Sequence, residues 1–160
     1  MEGDFIITSE EIRCHNRTIV EKYMTMVGQE RENRWKIFTD DAATGLQYTA
    51  TGESLVISGI DNIRQGDKFN CKNSPNCGFT NIEIFCSDAP HSFPLNAMAK
   101  GTAYVSGRPV HHKDHYAHKF LFRDGKICLY REFMNPCNEL IELGVTTPEA
   151  PVTTEDMTEA

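Results

Sequence analysis

Asp124-Gly125 stands between two apolar runs, Phe120-Leu121-Phe122 ahead of it and Ile127-Cys128-Leu129-Tyr130 behind. That pattern predicts two antiparallel strands, at about residues 110–123 and 126–134, because Asp-Gly readily takes the positive φ angles that tight hairpin turns require. The second strand carries Glu132 among Tyr130, Phe133 and Met134 and stops at Asn135-Pro136, where proline has no N–H to extend the ladder. Residues 137–143 then predict a short helix closed by Gly144. A carboxylate among such neighbours needs a partner, a raised pKa or a wet cavity, since an unpaired buried charge is costly. Glu132 is therefore the residue around which a function has to be built.

The register of this hairpin decides which face Glu132 occupies. A two-residue Asp124-Gly125 turn puts Glu132 opposite Ala117, whereas a three-residue turn with a bulge at Gly125 puts it opposite Tyr116, on the face of His118 and Phe120. The second arrangement is the expectation, because it gathers a carboxylate, an imidazole and a phenol. The alternative is a surface pairing of Glu132 with Arg131 or Lys119.

Upstream, Thr8 and Glu11 form a capping box ahead of the stripe Ile12, Ile19, Tyr23 and Met26, predicting a helix over 9–27. A second short helix over 29–38 turns Trp35 and Phe38 inward and leaves Arg31, Glu32 and Lys36 in solvent, and residues 39–41 end the helical opening. Residues 46–58 read as a hairpin around Thr51-Gly52-Glu53. Residues 60–72 read as a helix by Ile60, Ile63, Asp67 and Phe69, with Gly66 as a weak point. Period-two alternation marks 79–85 as a half-buried strand, and 95–105 reads as another. The plan is α+β, with helices packed on one face of a curved antiparallel sheet.

The chain has 160 residues and 39% hydrophobic content, enough for one domain over 1–148 with a core and one ligand-sized cavity. Residues 149–160 are acidic, contain little to bury, and are expected to be a disordered tail. A formal net charge of −7 argues against nucleic acid or an anionic membrane as partner. The start of the chain is acidic and its apolar run too short for a signal peptide, so the expected location is the cytoplasm. The six cysteines, at 14, 71, 77, 86, 128 and 137, contain no CxxC pair and read as buried or free thiols, with Cys71 and Cys77 the pair to check.

Several segments, in this order, carry a resemblance: Asn16-Arg17-Thr18-Ile19-Val20-Glu21-Lys22-Tyr23-Met24, Phe38-Thr39-Asp40-Asp41, Thr51-Gly52-Glu53, Val56-Ile57-Ser58-Gly59, Asn81-Ile82-Glu83-Ile84-Phe85, Arg131-Glu132-Phe133-Met134-Asn135-Pro136 and Leu143-Gly144. Over about residues 16–148 the chain resembles the phenazine-biosynthesis PhzA/PhzB family, within the cone-shaped fold of ketosteroid isomerase, the SnoaL-like proteins and the nuclear transport factor 2-like superfamily. The resemblance implies a cofactor-free, dimeric, cytoplasmic protein. It implies that the cone binds a small cyclic carboxylic acid and helps condense two aminocyclohexenone carboxylates into the phenazine ring system. It also implies that Glu132 is the acid/base group. The family's histidine and serine on the third helix fall on Gly66 and Asn70 here; Asn70 can still form a hydrogen bond and Gly66 cannot.

The residues themselves add candidates. His118 is the expected acid/base or hydrogen-bonding partner of Glu132, with His115 second. Strand alternation puts His112 and His118 on one face and His111 and His115 on the other, so this histidine-rich segment offers no converging metal set. Arg34 is placed to reach a substrate carboxylate bidentately. Trp35, Phe69, Asn70, Tyr116 and His115 complete the expected substrate-binding set. The competing function is a ligand-binding or partner protein that keeps the cone without the chemistry. Homodimerisation is expected through the outer face of the sheet, whose strands carry more apolar side chains than one helical layer covers.

Overall fold

The computed structural model describes residues 7–47, 52–85, 87–142 and 144. The end of the expected domain at 148, the acidic tail and part of the 46–58 turn lie outside these residues. Helix α1 spans Ser9–Thr25, and its capping box is formed as the sequence predicts: the Thr8 N–H donates to Glu11 at 2.8 Å and the Glu11 N–H donates to Thr8 Oγ1 at 3.2 Å. A 3-10 segment, Gly28–Ile37, follows. Strand β1 (Phe38–Leu46), strand β2 (Leu55–Ser58), helix α2 (Ile60–Asn73), strands β3 (Gly78–Ile84), β4 (Ser92–Val105), β5 (Arg108–Arg123) and β6 (Lys126–Phe133), and helix α3 (Pro136–Glu142) complete the described elements.

The six strands form one sheet in the order β2-β1-β6-β5-β4-β3. The expected α+β plan holds, with one correction: β1 pairs parallel to β6, so the sheet is mixed and not wholly antiparallel. Thr39, Asp40 and Asp41, read from sequence as the end of the helices, lie within β1. Asp40 and Asp41 have poor β propensity, and all three residues fall in the register shift of β1 against β6, between the pairs Phe38–Ile127 and Ala43–Leu129 that hold the strand on either side of them.

Both long hairpins use two-residue turns with positive φ, at Ser106-Gly107 (50° and 76°) and at Asp124-Gly125 (51° and 73°). The register nevertheless departs from both sequence alternatives. Arg123 faces Lys126 and Phe122 faces Ile127, but Leu121 faces Leu129, so Cys128 is an extra residue in β6. This bulge brings Glu132 opposite His118, neither Ala117 nor Tyr116. The expected face is correct; the position of the bulge is not.

Further register shifts, between Phe38 and Ala43 in β1 and between Thr80 and Glu83 in β3, accompany the curvature of the sheet. Its concave side packs on α1 and α2 around Val20, Tyr23, Met24, Phe38, Ile63, Phe120 and Ile127. Burying side chains of this size contributes roughly 1.5–3 kcal/mol each. Tyr23 is the pivot of this contact, 5.1 Å from the Phe120 ring centroid and 4.7 Å from that of Tyr130. Arg31, expected in solvent, is 7% exposed and donates to the carbonyls of Asn70 and Ser74 at the end of α2. Those carbonyls lie at the negative end of the helix dipole, which is why a cation is held there.

One close approach constrains β4. A methyl group at Gly101 would lie 2.5 Å from the Asn76 carbonyl oxygen and from the Cys77 Cα, both backbone atoms. Gly101→Ala is expected to destabilise the fold by about 1–3 kcal/mol, seen as a lower denaturant midpoint. An unchanged midpoint would mean that β4 and the loop ahead of β3 separate at little cost.

Candidate active site

The concave side of the sheet and the helical layer enclose a cavity of about 650 Å³. Helix α2 presents Ile63, Gly66, Asp67 and Asn70 to it, and β5 and β6 present Tyr116, Tyr130 and Glu132. Tyr130 and Glu132 share a face of β6 because they are two residues apart. The Tyr130 hydroxyl donates to Glu132 Oε1 at 2.5 Å, and His118 Nδ1 lies 2.8 Å from the same hydroxyl oxygen. A phenol has one hydrogen to donate, and here it points at the Glu132 carboxylate, so His118 Nδ1 carries the hydrogen that points at Tyr130.

Burial pushes the His118 pKa down to about 3, so this imidazole is neutral and its Nε2 is a lone-pair site. That Nε2 is buried without a hydrogen-bond partner among the described residues. The ring is held by Tyr116 and Tyr130, stacked at centroid distances of 5.5 and 5.7 Å, and by the edge of Phe79 at 4.9 Å. Burial also raises the Glu132 carboxyl above its ordinary value, against the pull of the Tyr130 hydroxyl, Arg34 and His112. A quarter of its side chain remains open to the cavity. Burial lifts the Tyr130 phenol well above its usual range, so it stays protonated and serves as a fixed donor.

Arg34 does not stand free. Its Nε and Nη2 donate to Asp67 Oδ1 at 3.2 and 3.0 Å, and its guanidinium lies 4.5 Å over the Tyr23 ring. Burial raises the Asp67 carboxyl although Arg34 pulls it down. A second polar group borders the cavity nearer α3. His112 Nδ1 lies 2.7 Å from Glu142 Oε2, and His112 Nε2 lies 2.9 Å from the Tyr116 hydroxyl.

Of the residues expected from sequence, Glu132, Arg34, Asn70, Phe69 and Tyr116 border one cavity, although Phe69 is 66% exposed and sits at its rim. His118 is not among the residues that line the cavity: its Nδ1 is 4.0 Å from Glu132 Oε1, and the Tyr130 hydroxyl between them bonds to both. His115 is on the opposite face of β5, where strand alternation puts it. Trp35 packs outside the cavity with Arg64 5.1 Å and Lys36 5.8 Å from its ring. Tyr130, Asp67 and Tyr23 were not expected as polar members of the site. The signals for two of them were present: Tyr130 is two residues before Glu132 on a strand, and Asp67 is one helical turn after Ile63 in an otherwise apolar stripe.

The profile of the phenazine biosynthesis protein A/B family matches residues 4–154. The chain belongs to this PhzA/PhzB family. It is 36% identical over 142 residues to the phenazine biosynthesis protein PhzB1 of Pseudomonas aeruginosa, covering 88% of each chain. It is 34% identical over 144 residues to PhzB of Pseudomonas fluorescens, covering 89% of each. The crystal structure of a phenazine biosynthesis-related protein, phzb2 of Pseudomonas aeruginosa, superimposes with a TM-score of 0.84 at 33% identity, covering 91% of this chain and 96% of that one. An NTF2-like protein from Anabaena variabilis, at 13% identity and a TM-score of 0.56, covers 84% of this chain and 95% of its own and shares the fold alone. Within the PhzA/PhzB frame, Gly66 contributes no side chain to the cavity wall, and the nearest atom to a Cβ placed there would be Ile57 Cδ1 at 3.7 Å.

Proposed function

We infer that this PhzA/PhzB-family protein assists the condensation or isomerisation of a cyclic amino-ketone carboxylic acid, moving a proton through Glu132. The observation that carries the reading is the carboxyl of Glu132: raised by burial, held by a phenol that does not ionise, and open on one side to a cavity of about 650 Å³. A base with a raised pKa suits removal of a proton from an α-carbon or an amine near neutral pH. Ketosteroid isomerase, with the same type of cone, likewise relies on apolar surroundings to tune its carboxyl groups. Arg34 borders the ligand space, and its pairing with Asp67 fixes it in place for the substrate carboxylate. Five described cysteines are free thiols, in keeping with a reducing cytoplasm.

The test is the rate of ring condensation with an aminocyclohexenone carboxylic acid, followed by absorbance with and without the protein. Acceleration is expected. Binding of that acid without acceleration would replace the enzyme by the ligand-binding reading, which the missing side chain at Gly66 favours.

The same proposal includes a homodimer built on the outer face of the sheet, around Met98, Ala117 and Phe133 of β4, β5 and β6. Sedimentation at micromolar concentration is expected to give twice the chain mass, and a monomer would remove the dimer while leaving the fold untouched.

A further inference from the structure

We propose that Glu142, His112 and Tyr116 form a second proton-transfer centre in this cavity, a proposal that rests on the acid/base reading of Glu132. All three border the cavity. Glu142 divides its work between two oxygens. Oε1 accepts the Lys113 N–H at 3.0 Å and Asn138 Nδ2 at 2.8 Å, which pins α3 to β5. Oε2 faces His112 Nδ1 at 2.7 Å. An ionised carboxylate only accepts, so in the neutral form of the imidazole that the proposal uses the hydrogen sits on Nδ1 and the Nε2 lone pair is turned toward the Tyr116 hydroxyl, 2.9 Å away. A carboxylate that orients an imidazole, which in turn draws on a hydroxyl proton, is the arrangement that activates hydroxyl groups elsewhere.

The contrast with His118 separates this from a structural role. Both histidines point to the same side of β5, but His118 is sealed, with an Nε2 that has no hydrogen-bond partner among the described residues. The side chains of His112 and Glu142 are 15% and 13% exposed. Pinning α3 requires only the bonds to Oε1, so it leaves the imidazole unexplained. Helix α2 offers no side chain to the cavity at Gly66, and His112 brings an imidazole to the same cavity from the sheet. The step balances without a co-reactant. The phenol oxygen of Tyr116 takes a proton from a C–H or N–H of the bound ring as His112 Nε2 takes the phenol proton, leaving an imidazolium beside Glu142. The imidazolium then returns its proton through Tyr116 to another atom of the ligand. Glu132 and His112 thus serve two edges of one amino-ketone ring, one removing and one delivering.

The test uses 5-nitrobenzisoxazole, a small planar probe that any cavity base can open: the base takes the ring C–H proton, the N–O bond breaks, and a coloured phenolate appears. Glu132→Gln is expected to keep a residual rate, and adding His112→Gln or Glu142→Gln to it should lower that rate by a further factor of about 10². Glu142→Gln retains an oxygen for Lys113 and Asn138, so α3 stays pinned if His112→Gln disturbs it. The nitrogen-15 imidazole spectrum should show His112 protonated at Nδ1 in the unaltered protein, with the proton moved to Nε2 in Glu142→Gln. No turnover of the probe by the unaltered protein, no further loss in either double variant, or a proton on Nε2 from the start overturns the proposal. Unchanged turnover in Glu132→Gln alone counts instead against Glu132.

Discussion

Glu132→Gln is expected to slow condensation by about 10²–10⁴-fold while the protein stays folded. Glutamine keeps the length of the side chain and an oxygen for the Tyr130 hydroxyl, so His118, Tyr130 and residue 132 remain linked, but the titrating group is gone. Two pH measurements accompany it. Activity should rise with pH through a value above the ordinary glutamate range, because burial raises the Glu132 pKa and the base acts when ionised. Stability should show the opposite sign. A carboxyl whose folded pKa lies above its unfolded pKa favours folding most below the unfolded value and loses that contribution as pH rises through the folded one. The glutamine variant should therefore melt at or above the parent near neutral pH, with the gap closing in acid. A large fall in melting temperature, or unchanged turnover with the condensing substrate, would remove Glu132 from the chemistry.

The largest stability effect is expected at Asp67. Its side chain and that of Arg34 are 7% and 8% exposed, so Asp67→Ala leaves a guanidinium buried over Tyr23 without its counter-ion. Breaking one side of such a pair costs about 3–5 kcal/mol, chiefly through the stranded charge. For a chain of this length that corresponds to a melting temperature lower by on the order of 10 °C. Replacing both partners, as in Arg34→Met with Asp67→Leu, should recover most of the loss, because the desolvation of two charges is relieved together. If the double variant is as unstable as Asp67→Ala, the pair contributes more than the avoidance of an orphaned charge. Asp67→Ala is also expected to raise KM for a carboxylic acid substrate, since Asp67 fixes the direction of the guanidinium.

The elements legible in the sequence are those governed by local chemistry. The Thr8–Glu11 capping box, the Asp124-Gly125 turn, the stop at Pro136 and the alternation that separates His112 and His118 from His111 and His115 each depend on a few consecutive residues. Strand β1 was hidden, because Asp40, Asp41 and Gly45 have little intrinsic strand character: Gly45 is held between Val56 of β2 and Arg131 of β6, and the two aspartates sit in the register shift between the pairs made by Phe38 and Ala43. The pairing of Arg34 with Asp67 joins residues 33 positions apart, which no local pattern encodes. The bulge escaped for a related reason: Cys128 differs little from its apolar neighbours, and what makes it the extra residue is the fit of both hairpin arms to the core. Glu132 itself was legible because a lone carboxylate in an apolar strand needs an explanation wherever the strand ends up.

The extra residue at Cys128 also divides β6 into two halves with separate rules of alternation. Before it, Ile127 points inward to the core, fully buried; after it, Tyr130 and Glu132 point inward, three and five positions further on. A strand with uninterrupted alternation could send Ile127 inward or Glu132 inward, but not Ile127 and Tyr130 together. The half-step of phase at Cys128 uncouples them. The turn half of β6 can thus vary to suit the core, and the site half to suit a ligand, without either substitution pattern forcing the other out of register.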